Sequence, residues 1–324
     1  MQKGVCPIKI KVIMNPKSGR RVIQKNLEII LGRLLLEGTA EQISVSPTKA
    51  RGDARDTAAR LQPGEFDLVI GCGGDGTINE ILHGLMQGGC GAPLAILAAG
   101  TSNDFAYSMK LPQDPEEFCR MVQEGQQRLV DVGMANGRYF INVASFGAFT
   151  EIAHSTQQDF KGVLGKLAYY LTGVWSAPEQ LATLVPVRIS SPEHTMEAEL
   201  RLCLIANSMS VGSIRWLMHK ADVSDGKFDV LLVKKKPLLP KDTDFSSYIL
   251  NGDFLNDPAI QYFQTDSIRI ESLDEEISRS VELDVDGEFC GHLPLEVRVL
   301  HKALPLLVPR AAAAAGGRST ALPM

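Results

Sequence analysis

The chain has 324 residues, of which 22% are charged, and a net charge of −5 at pH 7. This length predicts two domains of about 100 to 200 residues each, and the weakly acidic balance argues against a nucleic-acid partner. The six cysteines are scattered and include no C-x-x-C pair, so they suggest neither a zinc site nor a disulfide framework. The sequence has neither an apolar signal segment nor a run of 18 apolar residues, so we expect a cytoplasmic protein that spans no membrane.

The first predicted element is a strand from Ile8 to Met14, which Pro16 ends. Ser18 and Gly19 then supply a hydroxyl and a bare backbone just before an amphipathic helix from about Val22 to Leu36. The loop either contacts a phosphate or only caps the helix.

A second strand is predicted around Ile43 to Val45, followed by a helical stretch in which Ala54, Ala58 and Leu61 share one face. Thr48 lies between them. It either caps this helix or contacts a nucleotide.

The central motif is a strand, a glycine turn and a helix. Asp67 to Ile70 is typical of a buried parallel strand, and the helix after the turn has one apolar face, formed by Ile78, Ile81, Leu82, Leu85 and Met86. Such a turn aims backbone N–H groups at one point, where a phosphate can bind. The G-x-G-x-x-G pattern alone is weak, and a turn that merely packs closely is the alternative. Asp75 inside the turn would repel a pyrophosphate without a cation between them, so the motif predicts a nucleotide with Mg²⁺.

Another apolar strand, Pro93 to Ala98, leads into a loop with a glycine, hydroxyls, Asn103 and Asp104. In an open parallel sheet, loops at the carboxyl ends of the strands lie side by side. We therefore expect Ser18, Asp75 and Asn103 to converge.

Strands dominate after about residue 135. Asn136-Gly137 between two extended runs predicts a hairpin, and further strands are predicted at 185–190, 197–206, 228–233, 267–271 and 281–285. The sequence thus predicts an α/β nucleotide-binding domain with a mostly parallel sheet, followed by a mainly antiparallel β domain. An apolar helical stripe over 161–175 packs in the core or lines a lipid groove, and the low-complexity tail, 310–324, is predicted to be disordered.

Two acidic turns, 222–227 and 284–288, contain Asp-Gly, which is ordinary hairpin chemistry. The second gathers three carboxylates within five residues. Such crowding is also typical of cation binding or proton transfer.

Taken together and in order, six motifs resemble the soluble bacterial diacylglycerol kinase-like lipid kinases: NPKSGR at 15–20, GGDGTINE at 73–80, GTSNDF at 100–105, LGKLAYYL at 164–171, SDGKFDV at 224–230 and VDGE at 285–288. The resemblance covers about residues 8 to 308. It implies an ATP-binding domain over 1–134, rejoined by 296–309, and a lipid-binding β-sandwich over 135–295. It also implies Mg²⁺-dependent transfer of the γ-phosphate of ATP to a lipid hydroxyl, most simply that of diacylglycerol, giving phosphatidic acid.

The same resemblance assigns roles to individual residues. ATP would be held by Asn15, Ser18, Thr48, Gly73, Gly74, Asp75, Gly76, Thr77, Thr101 and Asn103. Asp75 and Asp104, joined by Asp131, would form an acidic network around the active-site magnesium. Asp225 would bind a structural Mg²⁺ with the backbone carbonyls of Asp222 and Lys227. Glu288 would accept the proton of the attacking hydroxyl, with Asp286 beside it, and we expect the Asp75 and Glu288 turns to face each other.

The sequence departs from the family pattern at 210–213 and has no proline between Ile214 and Asp225, which leaves the acceptor open. The alternatives are a same-fold kinase acting on a sphingoid base or NAD, and a non-catalytic nucleotide-binding regulator. A lipid substrate implies transient contact with the inner face of the membrane, since no polybasic anchor is present. The oligomeric state is open, with a homodimer among the alternatives.

Overall fold

The computed structural model describes residues 6–100, 102–147, 184–211, 217–218, 220–234 and 256–310, without the side chains of 20–23. Thr101, the apolar stripe at 161–175 and residues 311–324 of the predicted tail lie outside the described residues. Contacts divide the chain into two compact units, one formed by Met1–Val130 with Ala303–Met324 and the other by Asp131–Lys302.

The first unit is an α/β layer structure. Its strands are β1 (Ile8–Met14), β2 (Ala40–Pro47), β3 (Leu68–Gly73) and β4 (Leu94–Ala98), and its helices are α1 (Arg20–Leu36), α2 (Asp53–Ala59), α3 (Asp75–Gly88), α4 (Asp104–Ser108) and α5 (Pro115–Glu124). The strands are parallel in the order β2-β1-β3-β4, with Val12 opposite both Val45 and Ile70. All six residues of β3 are buried, as expected of a parallel strand covered on both faces.

The last strand, β16 (Leu295–Val308), passes from the second unit into the first. Its end runs parallel to β4, with Leu306 opposite Leu94. Likewise β5 (Gln126–Ala135) passes from the first unit into the second.

The second unit is a sandwich of two sheets. Its further strands are β6 (Arg138–Phe140), β7 (Val143–Gly147), β8 (Val185–Ser190), β9 (Thr195–Leu200), β10 (Leu202–Ala206), β11 (Phe228–Val233), β12 (Ile260–Thr265), β13 (Ser267–Ser272), β14 (Glu282–Val285) and β15 (Glu288–His292). One antiparallel sheet has the order β12-β11-β10-β7-β14-β15, and the other joins β9, β8, β13, β16, β5 and β6. A short helix, α6 (Glu275–Ser280), precedes β14. Apolar residues from both sheets form one core, including Phe146, Phe228, Ile270 and Leu295.

The predicted single strand over 197–206 is wrong. The structure has two strands that bend at Arg201 and belong to different sheets. The reason is visible in the burial pattern, since β9 alternates between exposed and half-buried residues up to the buried Leu200, whereas every residue of β10 is buried. A half-exposed edge strand and a central strand therefore follow each other without a turn motif.

Within the described ranges, no helix is both long and apolar enough to cross a membrane.

Candidate active site

The glycine turn joins β3 to α3 as predicted. Gly73 ends the strand, and Gly74 is the extended N-cap residue of α3. A Cβ on Gly73 would lie 2.5 Å from the Cβ of Thr77, and one on Gly100 would lie 2.8 Å from the Cα of Gly74. The two loops therefore approach at distances that side chains would prevent. The first-turn N–H groups of α3 have no acceptor within their own helix, which makes this end suitable for an anion.

Asp75 connects the glycine turn to the loop after β4. Its carboxylate accepts hydrogen bonds from the backbone N–H groups of Asn103, at 2.9 Å, and Asp104, at 3.1 Å. Asn103 adopts a left-handed conformation with φ of 50°. Its side chain closes the loop by accepting from the N–H of Gly100 at 2.8 Å and donating to the Gly100 carbonyl at 2.9 Å. The structure thus brings Asp75, Asn103 and Asp104 together.

The loop after β1 lies against the same turn. The side-chain amide of Asn15 donates to the hydroxyl of Thr77 at 3.2 Å, and its backbone N–H donates to the Cys72 carbonyl at 2.9 Å. Ser18 belongs to this loop, since its N–H donates to the Asn15 carbonyl at 3.1 Å. Three of the predicted loops therefore meet at the carboxyl edge of the sheet.

The loop after β2 is adjacent, because the N–H of Thr48 donates to the carbonyl of Met14 at 2.8 Å. Thr48 does not cap α2, whose N-cap residue is Gly52 with φ of 89°. One of the two roles considered for Thr48 is thereby removed. A contact with a nucleotide stays a prediction.

In the second unit, Asp131 organises the acidic turn at 222–227. Its side chain is fully buried and accepts from the N–H groups of Gly226, at 2.7 Å, and Lys302, at 2.6 Å. The Nδ1 atom of His301 lies 2.9 Å from Oδ1 of Asp131, the same oxygen that accepts from Lys302. Asp131, Asp222, Asp225 and Lys227 therefore belong to one unit, whereas Asp104 belongs to the other.

The carboxylates of this acidic turn are held by the turn's own backbone. Asp222 accepts from the N–H and the hydroxyl of Ser224, and Asp225 accepts from the N–H of Lys227 at 2.9 Å. Burial raises the pKa of Asp225, and the negative charges of Asp222 and Asp131 add to the rise. A cation beside Asp225 would offset this clustering of charge.

Across the described residues, no group of three or more His, Cys, Asp or Glu side chains that could hold a metal ion is found. The predicted ligand set at 222–227 needs only the Asp225 carboxylate and two backbone carbonyls. All of these donors are oxygens, the ligands that Mg²⁺ prefers. The donor set therefore fits magnesium, although the ion itself stays a prediction.

The second acidic turn separates its two carboxylates. Asp286 accepts from three backbone N–H groups, those of Ile141 at 2.8 Å, Asn142 at 3.0 Å and Val143 at 2.9 Å. It occupies the left-handed region with φ of 51°, as an Asp-Gly hairpin turn requires. Asp286 thus fixes the segment between β6 and β7.

Glu288 is held differently, by an ion pair with Arg138. The same guanidinium donates to the Phe289 carbonyl at 2.8 Å. Arg138 therefore binds both the Glu288 side chain and the backbone of β15. Sequence reasoning missed Arg138, which lies 150 positions from Glu288. No local pattern marks such a pair, because it depends on how two hairpins meet.

Comparison with known proteins places each half of the chain in a described family. Residues 9–135 match the diacylglycerol kinase catalytic domain, and residues 143–308 match the YegS C-terminal NAD kinase beta sandwich-like domain. These matches confirm the predicted fold class, an α/β domain followed by a β-sandwich.

Similar proteins cover nearly the whole chain. The diacylglycerol kinase of Bacillus subtilis (strain 168) is 33% identical over 303 residues, which is 93% of this chain and 96% of that protein. That of Staphylococcus epidermidis (strain ATCC 12228 / FDA PCI 1200) is 31% identical over 93% of this chain and 92% of its own.

Solved structures show the same likeness. One from Bacillus anthracis str. Sterne has a TM-score of 0.77 and 28% identity, covering 95% of this chain and 100% of its own. Another, of a diacylglycerol kinase from the same organism, has a TM-score of 0.70 and 26% identity over 94% of this chain and 98% of its own. The family predicted from the motifs is confirmed. This chain belongs to the diacylglycerol kinase family and is a lipid kinase.

Proposed function

We propose that the enzyme transfers the γ-phosphate of ATP to the hydroxyl of diacylglycerol, giving phosphatidic acid, with Mg²⁺ required. The observation that carries the proposal is the meeting of three loops around the Gly73–Thr77 turn, where Asp75 joins the loop of Asn103 and Asn15 contacts Thr77. An open parallel sheet binds its ligands at this edge. Relatives named diacylglycerol kinase support the acceptor.

The first unit is assigned the phosphate donor. The glycines leave room for a phosphate chain to approach the backbone, and the N–H groups at the N-terminus of α3 would attract the negative charge of the phosphates. Bound Mg²⁺ would neutralise charge on the phosphates. Asp75 and Asp104 are the carboxylates proposed to orient that cation, and the 222–227 turn, through Asp225, is proposed to bind a structural ion.

The second unit is assigned the acceptor. Glu288 takes the proton of the lipid hydroxyl as the hydroxyl oxygen forms a bond to the γ-phosphorus of ATP. The bond between that phosphorus and the bridging oxygen of the β-phosphate breaks at the same time, and ADP leaves. Arg138 keeps the Glu288 carboxylate in one orientation. Asp286 supports the turn through its three N–H donors rather than receiving a proton.

The remaining features of the proposal concern location. Because the acceptor lies in a bilayer, the enzyme is expected to act from the cytoplasm by transient contact with the inner face of the membrane. A homodimer is compatible with this scheme but not needed for it.

The experiment is incubation with γ-labelled ATP, Mg²⁺ and a panel of acceptors comprising diacylglycerol, a sphingoid base, NAD and no acceptor. Label in phosphatidic acid is the expected result. Label in phosphorylated sphingoid base or NADP instead would contradict the acceptor, and label in none of the products would contradict the reaction.

A matched pair of variants tests the base. Glu288→Gln should lower the rate by about 10² to 10⁴, whereas Glu296→Gln, on the exposed face of β16, should leave it unchanged. A Glu288→Gln enzyme as fast as the wild type would remove Glu288 from the mechanism.

A further inference from the structure

The loop at residues 48–52 lies at the edge where the candidate donor site is built. Its first residue, Thr48, is hydrogen-bonded to Met14, the neighbour of Asn15. This loop leads into α2, a helix of seven residues whose N-cap Gly52 supplies no side-chain cap. The position of this loop must therefore be set by residues outside the cap.

Glu80, on α3, supplies the missing acceptors. One of its carboxylate oxygens accepts from the N–H of Gly52 at 2.9 Å, and the other accepts from the N–H of Ala54 at 3.3 Å. Asp53 closes the loop from within, accepting from the N–H groups of Lys49 and Ala50 at 2.8 and 2.9 Å. Both oxygens of Glu80 are thus directed at the backbone of α2 and the residue before it.

The same helix pair is in contact at backbone distance further along. A Cβ on Gly84 would lie 2.2 Å from the carbonyl oxygen of Arg55, and one on Gly88 would lie 2.5 Å from that of Ala59. Such contacts resist sliding, because any shift brings backbone atoms into collision. Since α3 begins at Asp75, the glycine turn and the 48–52 loop are built on one helix pair, and Glu80 is a polar link between its two helices.

We propose that Glu80 is a positioning residue of the nucleotide site, holding the 48–52 loop so that Thr48 meets a nucleoside triphosphate bound at the Gly73–Thr77 turn. Glu80 acts through the loop, because both of its carboxylate oxygens accept hydrogen bonds from the backbone of the loop and of α2. This inference rests on the proposed function, because it assumes that ATP binds at that turn.

The test compares Glu80→Ala and Glu80→Gln with Glu28→Ala, a change at an exposed carboxylate on α1. Equilibrium binding of ATP and steady-state kinetics are measured for each full-length variant. Glu80→Ala should raise the Kd and KM for ATP about tenfold, the equivalent of one charge-assisted hydrogen bond, with kcat within threefold of wild type. Glu80→Gln, which keeps one acceptor oxygen, should recover most of the affinity, and Glu28→Ala should match wild type.

A double-mutant cycle separates positioning from simple stabilisation. If Glu80 acts through Thr48, the Kd of the Thr48→Ala/Glu80→Ala enzyme should equal that of the weaker single variant within twofold. A double variant whose Kd rises by the product of the two single-variant factors would overturn the inference. A Glu80→Ala enzyme with a lower Tm but unchanged Kd and KM would also overturn it.

If Glu80→Ala does not fold, the cycle is run with Glu80→Asp, whose shorter side chain cannot keep both hydrogen bonds to Gly52 and Ala54. An unchanged KM for ATP in Glu80→Asp would again overturn the inference. A wild-type enzyme that fails to bind ATP would overturn the proposed function and this inference together. Normal wild-type binding that the Glu80 variants do not alter would overturn this inference alone.

Discussion

Replacing Asp286 by alanine should destabilise the second unit far more than an ordinary surface change, because three backbone N–H groups lose their common acceptor. A hydrogen bond to a charged group contributes about 1.5 to 3 kcal/mol. The three bonds share one part-exposed carboxylate, so they do not add fully, and we expect a total loss of about 3 kcal/mol. For a unit of this size that corresponds to a fall in Tm of about 6 to 12 °C.

The assay is differential scanning calorimetry of the full chain. The matched control is Asp274→Ala, which removes an exposed N-cap carboxylate that accepts two N–H groups, those of Glu276 and Ile277. Loss of such a cap is worth about 1 kcal/mol, or about 2 to 4 °C. An Asp286→Ala transition no lower than that of Asp274→Ala would refute the anchoring role and would return Asp286 to the list of catalytic candidates.

The remaining predictions test other contacts. Arg138→Ala should lower kcat about tenfold to a hundredfold through misplacement of Glu288, with partial recovery in Arg138→Lys, and a kcat within twofold of wild type would contradict the pairing. Gly84→Ala should lower the urea midpoint of unfolding by the equivalent of about 1 to 3 kcal/mol, since its Cβ would meet a backbone carbonyl of α2. The control Gly32→Ala, with open space around the added Cβ, should raise the midpoint slightly. Equal shifts in the two variants would refute the close helix contact. Burial raises the pKa of Cys72 to about 12. At pH 8, alkylation of Cys72 should therefore be about a thousandfold slower in the folded enzyme than in urea. Similar rates in the two conditions would contradict the burial of Cys72.

Much of the first unit could be predicted from the sequence because each element there has its own periodicity. The run before Gly71 is continuous and apolar, and the helix after the turn repeats its apolar residues every three or four positions, so strand, turn and helix are separable. The edge strand β15 was missed because its five residues are all half-buried or exposed, which leaves no alternation to detect. The junction at Arg201 was missed because two strands of different sheets meet without a turn motif.

Side-chain partnerships were the least predictable part of the candidate site. Glu80 lies 28 residues from Gly52, and Arg138 lies 150 from Glu288. Each pairing exists only because packed elements bring distant residues together, in the first case through glycines that let two helices touch. Motifs could point to Asp75 and Glu288, but the residues that hold the neighbouring loops in place became visible only in the structure.

The central claim is that Glu288 removes the acceptor proton while ATP binds independently of it. Single-turnover transfer from γ-labelled ATP to diacylglycerol, measured beside the Kd for ATP, tests this directly. We predict that Glu288→Gln keeps the Kd within twofold of wild type while the transfer rate falls by about 10² or more. A transfer rate equal to that of wild type, or a loss of rate explained entirely by lost ATP binding, would contradict it.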